Sequence, residues 1–154
     1  MIGAARGGRV QSTGLAGEGE ARVLSTIHWI RVLVAGVLSE VGVIVVLLAS
    51  IATYKKLSVG ATAEAKPGEP SLGERIGYYV APAAGFVTTG LATLWAVRGL
   101  DTGIIANAVA VGIVSVLITS PFVLSARPEH RLMYCIAFVL RPVAAYLAGV
   151  VSSA

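Results

Sequence analysis

Four long apolar runs constrain what this chain can fold into more than any other feature. They span about 28–54, 76–97, 103–124 and 132–153. Each run is close to the roughly 20 residues that a helix needs to cross a bilayer, and none alternates as a barrel strand does. Backbone groups in hydrocarbon must be paired within the segment, so these runs must be helices. We therefore predict an all-α polytopic membrane protein, a bundle of four transmembrane helices with short hairpin loops.

The low content of charged residues agrees with this class. Charged residues make up 13% of the 154 residues, against about a quarter in an average soluble domain. The net charge of +4 fits Lys and Arg side chains at membrane edges, where they meet anionic headgroups. The lipid bilayer is therefore an expected partner, and nucleic acid is not. We expect the bacterial inner membrane, with both termini on one side, the cytoplasmic one.

The segment before the first apolar run has a different composition. Residues 1–27 contain many glycines and few bulky apolar side chains, so they cannot offset the entropy of their own ordering. We predict a flexible N-terminal segment, either a disordered tail or an arm that docks onto a partner, ahead of a four-helix domain over 28–154. The first apolar run begins too late and is too long for a cleaved signal peptide.

Capping signals mark the starts of the last three helices. A Ser or Thr followed three residues later by Glu can satisfy two free backbone N–H groups, and Pro and acidic residues suit the first turn. The candidate residues are Ser71 with Glu74 for the second helix, Asp101 and Thr102 for the third, and Pro128 with Glu129 for the fourth.

Two charged residues interrupt the apolar runs near mid-membrane. Glu40 lies about 18 Å along the helix axis from His28, at 1.5 Å per residue. Arg141 lies at the same distance from Ser153, and His28 and Ser153 are expected at the same membrane face. An unpaired charge at the bilayer centre costs several kcal/mol. We therefore predict an intramembrane Glu40–Arg141 pair that places helix one against helix four. The pair is either a structural lock or the lining of a polar cavity, or one member contacts another protein, a cofactor or a lipid headgroup.

Small residues at steps of three or four predict close helix packing, because they let neighbouring backbones approach. Polar residues on the third helix, among them Asn107, Ser115 and Thr119, are expected to bond neighbouring helices. Cys135 is expected to be a small buried apolar residue. The predicted packing residues are Gly36, Gly77, Ala81, Gly85, Gly112, Ala145 and Gly149.

The stretches AGVLSEVG around Glu40 and TGIIANAVAVGIVSVLITS resemble the small multidrug resistance exporters. That resemblance implies a homo-oligomeric, proton-coupled transporter in which Glu40 alternates between protons and a cationic substrate. The chain departs from that family in its longer first loop, in a third helix without an aromatic wall, and in Arg141.

No catalytic constellation is visible in the sequence. The two histidines, His28 and His130, are expected at opposite membrane faces, so they cannot share a metal. Asp101 is the single aspartate, and no Ser, His and acid can be brought together for acyl transfer. We expect no enzyme activity, no metal and no cofactor.

Two functional hypotheses follow. The first is a non-catalytic accessory or structural subunit, or an assembly factor, of a larger membrane complex, with its helices locked by Glu40 and Arg141. Its partners would be other membrane protein subunits. The second is a small homo-oligomeric proton-coupled transporter with Glu40 as the coupling residue.

Overall fold

The chain folds into a bundle of long helices. The computed structural model describes residues 26–57, 71–125 and 131–154. Within these ranges the helices are α1 (Trp29–Leu57), α2 (Leu72–Val97), α3 (Ile104–Leu124) and α4 (Arg131–Ser153). All four are long and apolar enough to cross a membrane, and the described residues form no strand. The predicted all-α membrane fold is confirmed. The predicted docking segment, up to residue 25, and the Pro128–Glu129 helix start lie outside the described residues.

The predicted capping box at the start of α2 is confirmed. Ser71 Oγ accepts a hydrogen bond from the backbone N–H of Glu74 at 3.3 Å. In return, the Glu74 carboxylate accepts one from the Ser71 N–H at 2.7 Å. Because these bonds satisfy two free N–H groups of the first turn, α2 begins at Leu72 rather than at 76.

The start of α3 differs from the prediction. Neither Asp101 nor Thr102 caps the helix. The N-cap residue is Gly103, which has no side chain and therefore makes no side-chain capping bond. Gly103 has φ +67°, a left-handed conformation that glycine adopts without steric cost. Its carbonyl oxygen accepts bonds from the backbone N–H and the side-chain amide of Asn107, both at 2.9 Å. Asn107 therefore stabilises the turn that Asp101 and Thr102 were expected to cap.

The four helices occupy the corners of a bundle. The α1 helix packs against α2 and α3, and α4 packs against the same two helices. The α1 and α4 helices therefore lie at opposite corners, while α2 and α3 approach each other across the centre. The prediction that helix one lies directly against helix four is wrong, because long Glu and Arg side chains can meet across a bundle whose other core side chains are small.

Glycines allow close approach at four of the predicted packing positions. A side chain at these positions would overlap a neighbouring helix, and Ala145 is fully buried beside one of them. The distances from an added Cβ to its nearest neighbour are 2.5 Å at Gly36 (Val114 Cγ1), 3.0 Å at Gly85 (Arg141 Nε), 2.9 Å at Gly112 (Pro142 Cα) and 2.6 Å at Gly149 (Ala108 Cβ).

Gly77 and Cys135 do not have the predicted surroundings. An added Cβ on Gly77 would meet nothing within 4 Å, because this glycine borders a cavity rather than a helix contact. Ala81, one turn further along α2, lines the same cavity. Cys135 is exposed. It lies roughly 200° around α4 from the buried Ala137, since each residue turns the helix by about 100°.

Asn107 also ties the start of α1 to the start of α3. Its Oδ1 accepts a hydrogen bond from the His28 N–H at 2.7 Å, and its Nδ2 donates to the Thr26 carbonyl at 3.0 Å. The Asn107 side chain is fully buried, whereas Thr26 is half-buried and His28 is exposed.

Asn107→Ala is expected to lower the free energy of unfolding by about 1–3 kcal/mol, because it removes two hydrogen bonds to the start of α1, each with a net value of about 0.5–1.5 kcal/mol. Faster amide hydrogen exchange at residues 26–30 would report the released segment. Asn107→Ala with unchanged exchange there would show that the side chain does not hold this segment.

Candidate functional site

The charged residues that interrupt α1 and α4 meet inside the bundle. Arg141 Nη1 donates to Glu40 Oε1 in an ion pair across the diagonal of the bundle. The Arg141 side chain is 5% exposed and that of Glu40 is 18% exposed, so the cation is the more deeply buried partner. Arg141 therefore depends on Glu40 to compensate its charge more than Glu40 depends on Arg141.

The α3 helix supplies hydroxyl groups that complete the surroundings of the pair. Arg141 Nη1 also donates to Thr119 Oγ1 and to Ser115, reaching Ser115 Oγ at 3.1 Å and the Ser115 carbonyl at 3.3 Å. Ser115 Oγ in turn donates to Glu40 Oε1 at 2.8 Å. The pair is therefore held between α1 and α4 by a helix that contacts both.

A second set of hydroxyl groups extends this polar layer to α2. Ser39 Oγ and Thr89 Oγ1 lie 2.7 Å apart, and Ser39 Oγ lies 3.5 Å from Ser115 Oγ. All three side chains are fully buried. Polar side chains in hydrocarbon are stabilised by bonding across helices. One continuous polar layer therefore includes a side chain from every helix, at the depth of Glu40.

Three polar atoms of the pair make no hydrogen bond to a described residue. Within the described residues, the buried Arg141 Nε makes no hydrogen bond, since it lies against Gly85, which has no side chain. The bonds of Arg141 to described residues all run through Nη1, and those of Glu40 all run through Oε1. Arg141 Nη2 and Glu40 Oε2 are therefore not engaged by any described residue.

A cavity of 580 Å³ leads from the pair to the end of the bundle where α2 and α4 begin. All four helices contribute to it. Its inner end, which we call the floor, consists of Glu40, Thr119 and Arg141. Ser71 and Glu74 lie at its opposite end. The walls between are mostly apolar and comprise Val43, Ile44, Leu47, Gly77, Tyr78, Ala81, Pro82, Ile118, Phe122, Met133, Tyr134, Ala137 and Phe138.

The Ser39–Thr89 contact is absent from the sequence-based predictions, and a cavity beside the pair is present there only as one of several alternatives. A signal for the cavity is present in α2, where Gly77 and Ala81 precede Gly85 at steps of four. Small residues lower the volume of a helix face, but the sequence does not say whether a neighbour fills the space. The described residues contain no group of three His, Cys, Asp or Glu side chains that could hold a metal ion.

Comparisons with protein-family models, with curated proteins and with solved structures found no match to this chain. The four helices nevertheless define its class, a small integral membrane protein. The charged pair, the polar layer and the cavity are the features from which a function can be argued.

Proposed function

We propose that this protein is a non-catalytic accessory or structural subunit, or an assembly factor, of a larger membrane complex. The observation that carries the proposal is the internal pairing of Arg141, which donates to Glu40 on α1 and to Ser115 and Thr119 on α3. A buried ion pair held in this way fixes the register of the helices. The charged residues then serve the architecture of the bundle.

The outer surface supports the same proposal. Large apolar side chains are exposed along all four helices, including Leu48 on α1, Leu91 on α2, Leu117 on α3 and Val151 on α4. Such faces are compatible with lipid and with the helices of a partner subunit. We predict from the sequence that residues 1–27 dock onto a partner. Such docking would bring these apolar faces against a partner subunit rather than against lipid.

Extraction of the protein from its native membrane in mild detergent tests this function. We expect the full chain to co-migrate on a native gel with a larger membrane protein in fixed stoichiometry, identified by mass spectrometry. A variant that lacks residues 1–25 should keep the four helices and lose most of that partner. A homo-oligomer without other proteins, in both variants, would contradict the accessory role.

A small homo-oligomeric proton-coupled transporter is the second candidate, and one observation favours it. The cavity reaches Glu40, whose Oε2 is not engaged by any described residue. A carboxylate that a solute can reach from one membrane face could couple proton and solute movement.

Flux measurements in vesicles separate this candidate from the first. If Glu40 couples transport, a proton gradient should drive uptake of a hydrophobic cation such as tetraphenylphosphonium by the wild-type protein. Glu40→Gln should abolish that uptake at an equal protein level. Wild-type vesicles that show no gradient-dependent uptake would count against the transporter.

A further inference from the structure

We propose that the cavity binds a neutral single-chain amphiphile whose head carries both a hydrogen-bond donor and an acceptor, as a primary amide or an alcohol does. The head would lie on the floor, against Glu40 and Arg141, and the chain would lie along the apolar walls. The proposal does not rest on the accessory role, and a transporter that carries cations through this cavity would contradict it, because the floor selects a neutral head.

The size and the walls of the cavity fit a hydrocarbon chain. Its volume of 580 Å³ lies within the roughly 300–1,000 Å³ of small-molecule sites. Side chains from different helices face it, including Leu47 of α1, Phe122 of α3 and Phe138 of α4. A chain that replaces water against such walls gains the hydrophobic free energy of burial.

The floor requires a polar group at one end of that chain. Glu40 and Arg141 both line the cavity, and each keeps one terminal atom that bonds no described residue, Oε2 as an acceptor and Nη2 as a donor. A bound chain that displaces water from the floor must replace the hydrogen bonds that water can make with these two atoms, because leaving them unpaired is costly. A head with one donor and one acceptor can satisfy both atoms, whereas a methyl group would leave both without partners.

The charge of the floor selects a neutral head. Glu40 and Arg141 carry opposite charges and already form an ion pair, so the floor has no net charge to neutralise. A cationic or anionic head would add an uncompensated charge at mid-membrane depth, which costs several kcal/mol. The neighbouring Thr119 is a neutral hydroxyl group and cannot offset it.

Native mass spectrometry of the full-length protein in lipid nanodiscs tests the proposal, with dodecanamide as the probe. We expect one bound dodecanamide per chain. Dodecylammonium and dodecyl sulfate have chains of about the same length. Each should bind at least about tenfold more weakly than dodecanamide, since it places a charge on the neutral floor. Tighter binding of either charged probe would overturn the selection of a neutral head.

Two glycines of α2 provide a matched pair of variants. An added Cβ has open space at both Gly77 and Gly90, so α2 should tolerate a larger side chain at either position. Gly77 lines the cavity and Gly90 does not. Gly77→Leu should weaken dodecanamide binding at least tenfold, whereas Gly90→Leu should leave it unchanged. Helical content measured by circular dichroism checks that both variants are folded.

The remaining outcomes also decide the proposal. Equal dodecanamide binding by Gly77→Leu and Gly90→Leu would place the amphiphile elsewhere, on the lipid-facing surface. Absence of binding by folded wild-type protein would mean that the cavity holds water only. Either result would overturn the site.

Discussion

Glu40→Leu is expected to lower the free energy of unfolding by about 3–5 kcal/mol, the cost of leaving one member of a buried ion pair uncompensated. The remaining charge would be Arg141, whose side chain is only 5% exposed. An arginine side chain stays protonated in proteins, so it cannot escape the penalty by losing its charge. Unfolding of the purified protein by SDS in mixed micelles, followed by circular dichroism, measures the loss.

Replacement of the other member of the pair, Arg141, should be less harmful. Arg141→Leu leaves Glu40, which is 18% exposed and borders the cavity, so water can reach its carboxylate. A carboxylate can also lose its charge by accepting a proton, whereas an arginine side chain stays charged. The double variant Glu40→Leu with Arg141→Leu removes both charges and should cost less than Glu40→Leu alone. The order of the three losses therefore follows from the unequal burial of the pair.

Val41→Leu is the control for this series. Val41 follows Glu40 in α1 but is 48% exposed, so a larger apolar side chain there should change stability little. If Glu40→Leu and the double variant lose the same stability, the charge of Arg141 does not depend on Glu40. That result would contradict the pair as the device that locks the bundle.

Much of this site could be predicted from the sequence, because the bilayer imposes a single depth coordinate on every helix. Residue counts along each apolar run place Glu40 and Arg141 at the same depth, and the cost of a lone charge predicts their pairing. The same reasoning predicts partners for the hydroxyl groups of α3, and Ser115 and Thr119 both bond Arg141.

Lateral arrangement could not be predicted in this way, because depth does not say which helices are neighbours. The pair is compatible with α1 beside α4 and with α1 opposite α4, and the structure has the second arrangement. The extent of the cavity could not be predicted for the same reason. A small residue at Gly77 permits close packing as readily as it leaves space, and only the position of the neighbouring helices decides between the two.

Gly112→Ala combined with Gly149→Ala is expected to separate α3 from α4. An added Cβ on Gly149 would lie 2.6 Å from Ala108 Cβ, and one on Gly112 would lie 2.9 Å from Pro142 Cα. Both obstacles are backbone or Cβ atoms, which cannot rotate away as the end of a flexible side chain can. Overpacking costs about 1–3 kcal/mol per site.

Helix propensity opposes this loss, which makes the sign of the result informative. Alanine is favoured over glycine by about 1 kcal/mol within a helix, so Gly90→Ala, with open space around its Cβ, should be neutral or stabilising. The double variant should still lose about 2 kcal/mol in the same SDS titration, because two overlaps together cost roughly 2–6 kcal/mol and two gains in propensity offset only about 2 kcal/mol. A double variant as stable as Gly90→Ala would show that α3 and α4 do not approach as closely as these contacts require.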